Sequence, residues 1–384
     1  MKSETIAITG LGMVSSLGLD VVSSCAAAQA GISRINKLNT LQLMDTNTGE
    51  LGYAVGCPVS GITDGYLGLG RLVRLGLIGL KDLINYSELS DWRNSGLYIN
   101  LSTGIYFKEW EKVERDKIVE SQSEYIENVI PYDIGLRNNI YKMWLIPTIL
   151  KLCKLNIDPE NQLVFFGDQV GIINVIQVAL NNILSGKFER CIIGGIDSYV
   201  EADILEAIYN LNLIKTPSNP AGIIPGECAS FILLEREEVA RRRNGKIEGF
   251  IESICEKSES FNRFSNQPPI GIALLETISE TLESIKNTEH SLDLIIGSIN
   301  GDPYRSYDWG YTQVHLKSKY SFEDIIEWYP ALSFGEIGAA TGFAAICMAI
   351  RGFVRGYVKT DNVLIWLYND NGSRGSFFVR EYIN

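Results

Sequence analysis

The 384-residue sequence predicts an α/β protein with largely parallel sheets, built as two pseudo-symmetric halves. Two observations lead there. Short apolar strands alternate with helix-period stretches along the chain, and one strand–turn–helix–strand segment occurs twice. Its first copy is Val164-Phe165-Phe166-Gly167-Asp168-Gln169-Val170-Gly171, then the apolar run Ile172 to Leu184, Ser185-Gly186-Lys187, and the strand Cys191-Ile192-Ile193-Gly194-Gly195. The second copy is Ala331-Leu332-Ser333-Phe334-Gly335-Glu336-Ile337-Gly338, then Ala339 to Ile350, Arg355-Gly356-Tyr357, and the strand Val363 to Leu367. Each reads as strand, Phe-Gly-acid turn, helix, glycine, strand. A strand entering a helix through a glycine turn aims backbone N–H groups and a partial positive charge at one point, a natural reaction or ligand centre. Neither copy carries a nucleophile or a histidine there.

The elements follow in chain order. Ile6 to Thr9 is a short strand, ended by Gly10-Leu11-Gly12, and Ser23 to Gln29 is an alanine-rich helix stopped at Gly31. Further strands are expected at Ser95 to Leu101, Leu163 to Phe166, Cys191 to Gly194, Ala229 to Glu235, Ile247 to Cys255, Leu292 to Ser298, Val363 to Tyr368 and Ser376 to Glu381. Helix-period stretches run from Arg71 to Tyr86, Ile172 to Leu184 and Gly271 to Lys286. Residues 102–147 are charged and aromatic with poor periodicity, an excursion suited to partner contacts. The charged, glycine-ended stretch Arg241 to Gly245 is the expected seam, giving halves 1–245 and 246–384. With one copy on each side, the two turns are expected to face a shared cleft holding Asp168, Gln169, Asn300, Phe334 and Gly335.

Bulk properties narrow the function. A net charge of −12 without a basic block argues against nucleic acid. No segment reaches the ~20 apolar residues of a membrane helix, and Met1-Lys2-Ser3-Glu4 lacks a signal-peptide core, so a cytoplasmic protein is expected. Seven scattered cysteines with no Cys-x-x-Cys pair fit reduced buried thiols. Only His290 and His315 are available to a His-based site, and both read as surface residues; no metal or cofactor is expected.

Other motifs carry less. Gly10-Leu11-Gly12-Met13-Val14-Ser15 has Ser15 where a dinucleotide fingerprint needs its third glycine, and a structural turn is preferred. Cys228 and Cys191 read as core residues. Asp168 and Glu336 could pair as general acid and base if the halves face one another. Capping of the following helix is the favoured alternative.

Together these segments resemble a β-ketoacyl-acyl-carrier-protein synthase of the thiolase superfamily, over nearly the whole chain. The motifs are Ile8-Thr9-Gly10-Leu11-Gly12-Met13-Val14-Ser15-Ser16-Leu17-Gly18, Gly194-Gly195-Ile196-Asp197-Ser198, Ile224-Pro225-Gly226-Glu227-Cys228-Ala229 and Gly338-Ala339-Ala340. The resemblance implies a thiolase-like five-layer αβαβα fold and a dimer, homo- or heteromeric, formed through a sheet edge near the active site. It also implies that the catalytic Cys-His-His set is lost. The cysteine position falls on Gln169, with Asp168 the only other close choice; the first histidine becomes Asn300; the second falls on the Gly335-Glu336-Ile337 turn, with Glu336 the vestigial residue. No thioester can form on such side chains.

Two functions are compatible with that loss. The first is a catalytically inactive binding partner or adaptor. In detail the chain resembles degenerate thiolase-like proteins associated with type VI secretion cargo, through Ser24-Cys25-Ala26-Ala27, Ala30-Gly31-Ile32, Leu43-Met44-Asp45, Phe334 to Ala340 and Asn371-Gly372-Ser373-Arg374-Gly375. Its partner would then be a secreted effector or adaptor. The second is the chain-length-factor subunit of a polyketide or aryl polyene synthase, paired with an active ketosynthase and an acyl carrier protein; Gln169 supports it. A relocated active site around Asp168 and Glu336 is a third reading.

Overall fold

The computed structural model describes residues 5–44, 49, 51–120, 132–285, 292–320 and 325–383. Its first half runs β1 (Ile6–Ser15), α1 (Val21–Gln29), the hairpin β2 (Asn36–Met44) and β3 (Leu51–Gly56), α2 (Gly68–Ser87), β4 (Ser95–Leu101), α3 (Ile105–Glu120), α4 (Ile134–Cys153), β5 (Gln162–Phe166), α5 (Ile172–Leu184), β6 (Arg190–Ser198), α6 (Ala202–Asn210) and β7 (Glu227–Arg236). After α7 (Glu237–Arg242) come β8 (Gly249–Ser258), α8 (Ile272–Ile285), β9 (Leu292–Ile296), α9 (Pro303–Lys319), β10 (Ile326–Trp328), α10 (Pro330–Phe334), α11 (Thr341–Arg355), β11 (Asn362–Tyr368) and β12 (Ser373–Glu381).

The pairing pattern displays the duplication. From the middle outward, the first half orders its strands β1-β7-β6-β4-β5, antiparallel, antiparallel, parallel, parallel. The second half orders them β8-β12-β11-β9-β10 with the same four relations. The halves meet where β1 pairs β8, through Ala7 opposite Phe250 and Ile8 opposite Gly249.

Side-chain alternation turns the strands into layers, because successive residues face opposite sides of a sheet. On β6, Cys191 and Ile193 join the core around α5 and α11, while Ile192 and Ile196 face α2 and α4. On β11, Val363, Ile365 and Leu367 face the same central core, while Leu364, Trp366 and Tyr368 pack with Leu274 and Ile278 of α8 and Trp309 of α9. The two halves of the ten-stranded sheet thus enclose a layer made of α5 and α11, the twin helices of the duplicated segment, and α2/α4 and α8/α9 cover their outer faces. α11 is buried almost all round, from Thr341 to Ile350, as a helix between two sheet halves must be.

Four features depart from expectation. β1 does not stop at Gly10-Leu11-Gly12 but continues to Ser15. Those glycines serve packing rather than a turn: a Cβ on Gly12 would lie 2.4 Å from the Gly79 carbonyl oxygen, so α2 can cross β1 only over a bare backbone. Residues 331–334 are helical in α10, not a strand; the strand of the second copy is β10, five residues earlier, and Pro330 at the first helical position starts the turn. The helix expected from Ala339 opens as a 3-10 turn over Gly338–Ala340 before α11. Finally, the excursion at 102–147 contains α3 and α4, and α4 packs Leu145, Ile146, Ile149 and Leu150 against α2 and the sheet. Its mixed outer face had masked the helical period.

A close approach joins the halves at β6. A Cβ on Gly195 would lie 2.2 Å from the Ala339 carbonyl oxygen and 2.8 Å from Ala340 Cα, both backbone atoms. Gly195→Ala is therefore expected to force the 338–340 turn off the sheet and to lower stability by about 1–3 kcal/mol, measured as a fall in the denaturant midpoint without a change of slope.

Candidate functional site

The two copies of the turn meet. Gln169 at the first donates through Nε2 to Glu336 Oε1 at the second, 2.8 Å. Asn300, in the loop after β9, donates through Nδ2 to Glu336 Oε2 at 2.6 Å. Three residues drawn from distant parts of the chain therefore share one buried cluster, with Gln169 and Glu336 almost completely enclosed.

Local geometry explains each placement. β5 ends at Phe166, and Gly167 and Gly171 approach so closely that a Cβ on Gly167 would fall 2.5 Å from Gly171 Cα. Between them Asp168 adopts φ +49°, a left-handed conformation that Asp tolerates better than most residues. Its carboxylate is held by Thr103, through the backbone N at 2.8 Å and Oγ1 at 2.6 Å, and its carbonyl accepts from Asn100 Nδ2 at 2.6 Å. The strained residue thus sits directly before Gln169, aiming that side chain into the central layer. The second turn is pinned by backbone: Glu336 N donates to Ile224 O at 2.7 Å and Gly226 N to Glu336 O at 2.9 Å. Gly335 takes φ +74° at the end of α10, where a side chain would strain the backbone and strike Ile224 and Pro225 oxygens.

Glu336 is the centre of charge and acceptor chemistry. It accepts from Gln169, Asn300, the Gly338 amide at 2.9 Å and Arg305 Nη1 at 3.2 Å. Gln169 Oε1 in turn accepts from Ser298 Oγ at 2.7 Å. Arg305 is buried in α9 and also lies 3.5 Å from Asp370 Oδ1, whose other oxygen accepts from Tyr106 at 2.5 Å. Burial alone would raise the Asp370 carboxyl, but Arg305 and Arg263 hold it below the usual range.

The capping expectation fails for Asp168, whose partner is Thr103 on the adjoining β4 loop, and α5 starts at Gly171 with no side-chain cap. Glu336 does receive the Gly338 amide at the entrance to α11, alongside its three side-chain donors. Of the five cleft residues, Asp168 lines a cavity of about 330 Å³; Gln169, Asn300 and Phe334 are buried in packed surroundings and Gly335 is clamped between strands. Cys228 and Cys191 are buried strand residues on β7 and β6, and burial pushes both thiols well up. His315 is exposed on α9 against Tyr311, with ring centroids 4.5 Å apart. His290 lies outside the described residues, as does Asp45. Among the described residues, no group of His, Cys, Asp and Glu is placed to hold a metal ion, and no helix is long and apolar enough to cross a membrane.

Sequence reasoning missed Arg305, Ser298 and Asp370. Arg305 had one available signal: it stands at the third position of a helix that Asp302 caps and Pro303 opens, on the side turned back toward the preceding strand.

No protein-family model and no curated protein sequence matches the chain. Solved structures do, across 99% of its length. With TM-score 0.73 and 12% identity it matches the whole of a chain from AntDE:AntF, a type II PKS acyl-carrier protein in complex with its ketosynthase bound to the hexaketide. With TM-score 0.72 and 16% identity it matches the whole of a chain of the ishigamide ketosynthase/chain length factor. With TM-score 0.71 and 10% identity it matches 72% of the ketosynthase from module 6 of the bacillaene synthase from Bacillus subtilis 168. The fold is the thiolase-like fold of the ketosynthases.

Two measurements check the site. Glu336→Ala leaves Arg305, Gln169 and Asn300 donors facing a void, and is expected to cost about 3–5 kcal/mol in chemical denaturation, the range for breaking a buried ion pair. Burial raises the Asp197 carboxyl to about 7, against the lowering influence of the Ala339 and Ser198 amides. Since its folded pKa lies above the unfolded value, the folded state holds a proton that the unfolded state has lost. This residue's contribution to stability therefore declines as pH rises from about 4 to 7, by at most about 1.4 kcal/mol per pH unit. Asp197→Asn is expected to flatten the stability profile in that window.

Proposed function

We propose that this chain is a catalytically inactive ketosynthase-fold protein that acts as a binding partner. One observation carries the reading: Gln169 and Asn300, which the sequence resemblance puts at the cysteine and first-histidine positions, both donate to the buried carboxylate of Glu336, put at the second. Glutamine and asparagine side chains neither hold a thioester nor shuttle a proton at neutral pH. The Glu336 carboxylate has its acceptor sites filled by four donors. Such a centre stabilises the fold instead of presenting a nucleophile.

The surface offers a place for the partner. Among the described residues β5 is the terminal strand of the sheet, with no strand paired to its outer edge. Beside it, α4 exposes Leu136, Ile140, Met143 and Trp144, spaced four, three and one residues apart on one helical stripe. An exposed apolar stripe next to a free sheet edge fits a protein interface.

Two partner classes follow. A chain-length-factor role, pairing with an active ketosynthase served by an acyl carrier protein, is supported by Gln169 and by the fold shared with a ketosynthase/chain length factor. Effector handling in type VI secretion is supported by the sequence resemblance in 24–45, 334–340 and 371–375.

Co-expression separates them. In the first class the chain co-purifies with a ketosynthase and changes its product length; in the second it retains a secreted effector, and its deletion lowers delivery without changing acyl products. Met143→Asp with Trp144→Asp is expected to abolish pairing in either class, read as loss of the complex in size-exclusion chromatography with the fold unchanged. Transfer of an acyl group from acyl-carrier protein to this chain alone would overturn the inactive reading.

A further inference from the structure

The cavity beside Asp168 has a chemistry that the vestigial centre does not explain. It opens between α3, α4, α6 and the start of α2, and its volume of about 330 Å³ suits a small organic molecule. Four carboxylates line it, Asp168, Asp197, Glu201 and Asp203, against one cation, Arg137. Arg137 donates to the Ser102 carbonyl at 2.9 Å and to Asn138 Oδ1; its charge pulls the Asp168 and Asp197 carboxyls down in part, but among the described residues it forms no ion pair with the four. Burial pushes the Asp168 and Glu201 carboxyls above their ordinary values and Asp197 up to about 7, outweighing the lowering influence of Arg137 on the two aspartates and of Arg71 on Glu201.

A second, independent observation comes from Tyr199. It is 4% exposed, lines the cavity, and among the described residues no hydrogen-bond partner of its hydroxyl is found. A buried hydroxyl is ordinarily satisfied, so this one is available to a bound group. Its ring meets Tyr106 edge-on at 6.0 Å, and across the cavity Tyr132 stacks on Phe107 at 4.0 Å. Aromatic faces and carboxylates around one enclosed volume both attract an organic cation. A plain hydrocarbon chain would leave the hydroxyl without a partner and the negative charge of the lining uncompensated.

We propose that this cavity binds an organic cation, an alkylammonium or guanidinium group, with Glu201 and Asp203 at its mouth and the Tyr199 hydroxyl inside. The site does not depend on the chain being catalytically inactive. The cation could arrive as a free amine or as a Lys or Arg side chain of a peptide.

Calorimetric titration of the full chain tests the proposal with 1,5-diaminopentane, spermidine and a lysine-containing peptide, against 1,5-pentanediol and octanoate as neutral and anionic controls. The amine probes, the peptide or both are expected to bind while the controls do not; preference between amine and peptide identifies the source. Glu201→Gln keeps an acceptor for the Gly68 amide, which Glu201 Oε2 now receives at 2.6 Å, and is expected to weaken binding about tenfold. Asp203→Asn alters an exposed residue and cannot fail by unfolding; it is expected to weaken binding by a smaller factor, as is Tyr199→Phe. Tighter binding of octanoate or the diol, no binding of any cation, or cation affinity unchanged in both carboxylate variants would each overturn the proposal.

Discussion

The Glu336 carboxylate is the constraint on which the centre of this molecule depends. A charge buried between two sheet halves is tolerated only when it is paired and its lone pairs are occupied. Here the occupants come from four places: Gln169 at the end of the first duplicated turn, Asn300 after β9, Arg305 on α9 and the Gly338 amide at the entrance to α11. Satisfying one charge therefore fixes the relative positions of both halves. The backbone pairing of Glu336 with Ile224 and Gly226 adds a second tie to the same residue.

The same centre is shaped by backbone geometry on both sides of the carboxylate. Asp168 adopts a left-handed conformation, Gly167 and Gly171 lie in contact distance, and Gly335 takes a positive φ before Glu336. The side chains delivered to the convergence point hydrogen-bond to one another, and the energy of the site goes into holding the fold. The proposed functions lie farther out, at the edge of β5, the apolar stripe of α4 and the tyrosine-lined acidic cavity.

Much of this was legible in the chain. The strand–helix alternation gave most of the ladder strands within a few residues, because fully buried strands read as short apolar runs bounded by glycine and polar residues. The family resemblance named Gln169 by its spacing to Gly194-Gly195, the Glu336 turn by its place before Gly338-Ala339-Ala340, and Asn300 by the likeness of residues 298–304 to a family motif. Other features were not legible. α10 was read as a strand because five residues, Pro330 to Phe334, are too few for a helical period to show. β2 and β3 were missed because they form a separate two-stranded sheet with much exposed surface, so alternation is weak. β1 was cut short because a glycine reads locally as a breaker, while its use at Gly12 is to admit α2.

By itself the sequence determined the duplication, the layered α/β class and the absence of cysteine and histidine from the two turns, since these depend on residue identity and local period. Only the tertiary structure decided that the turns bond to each other, that Asp168 answers to Thr103 and not to its own helix, and that Arg305 serves Glu336. Those pairings join residues far apart in the chain, and no local pattern records which buried donor will find which buried charge. The same holds for the cavity: four carboxylates and an unpartnered tyrosine hydroxyl become one site only when α3, α4, α6 and the sheet end close around it.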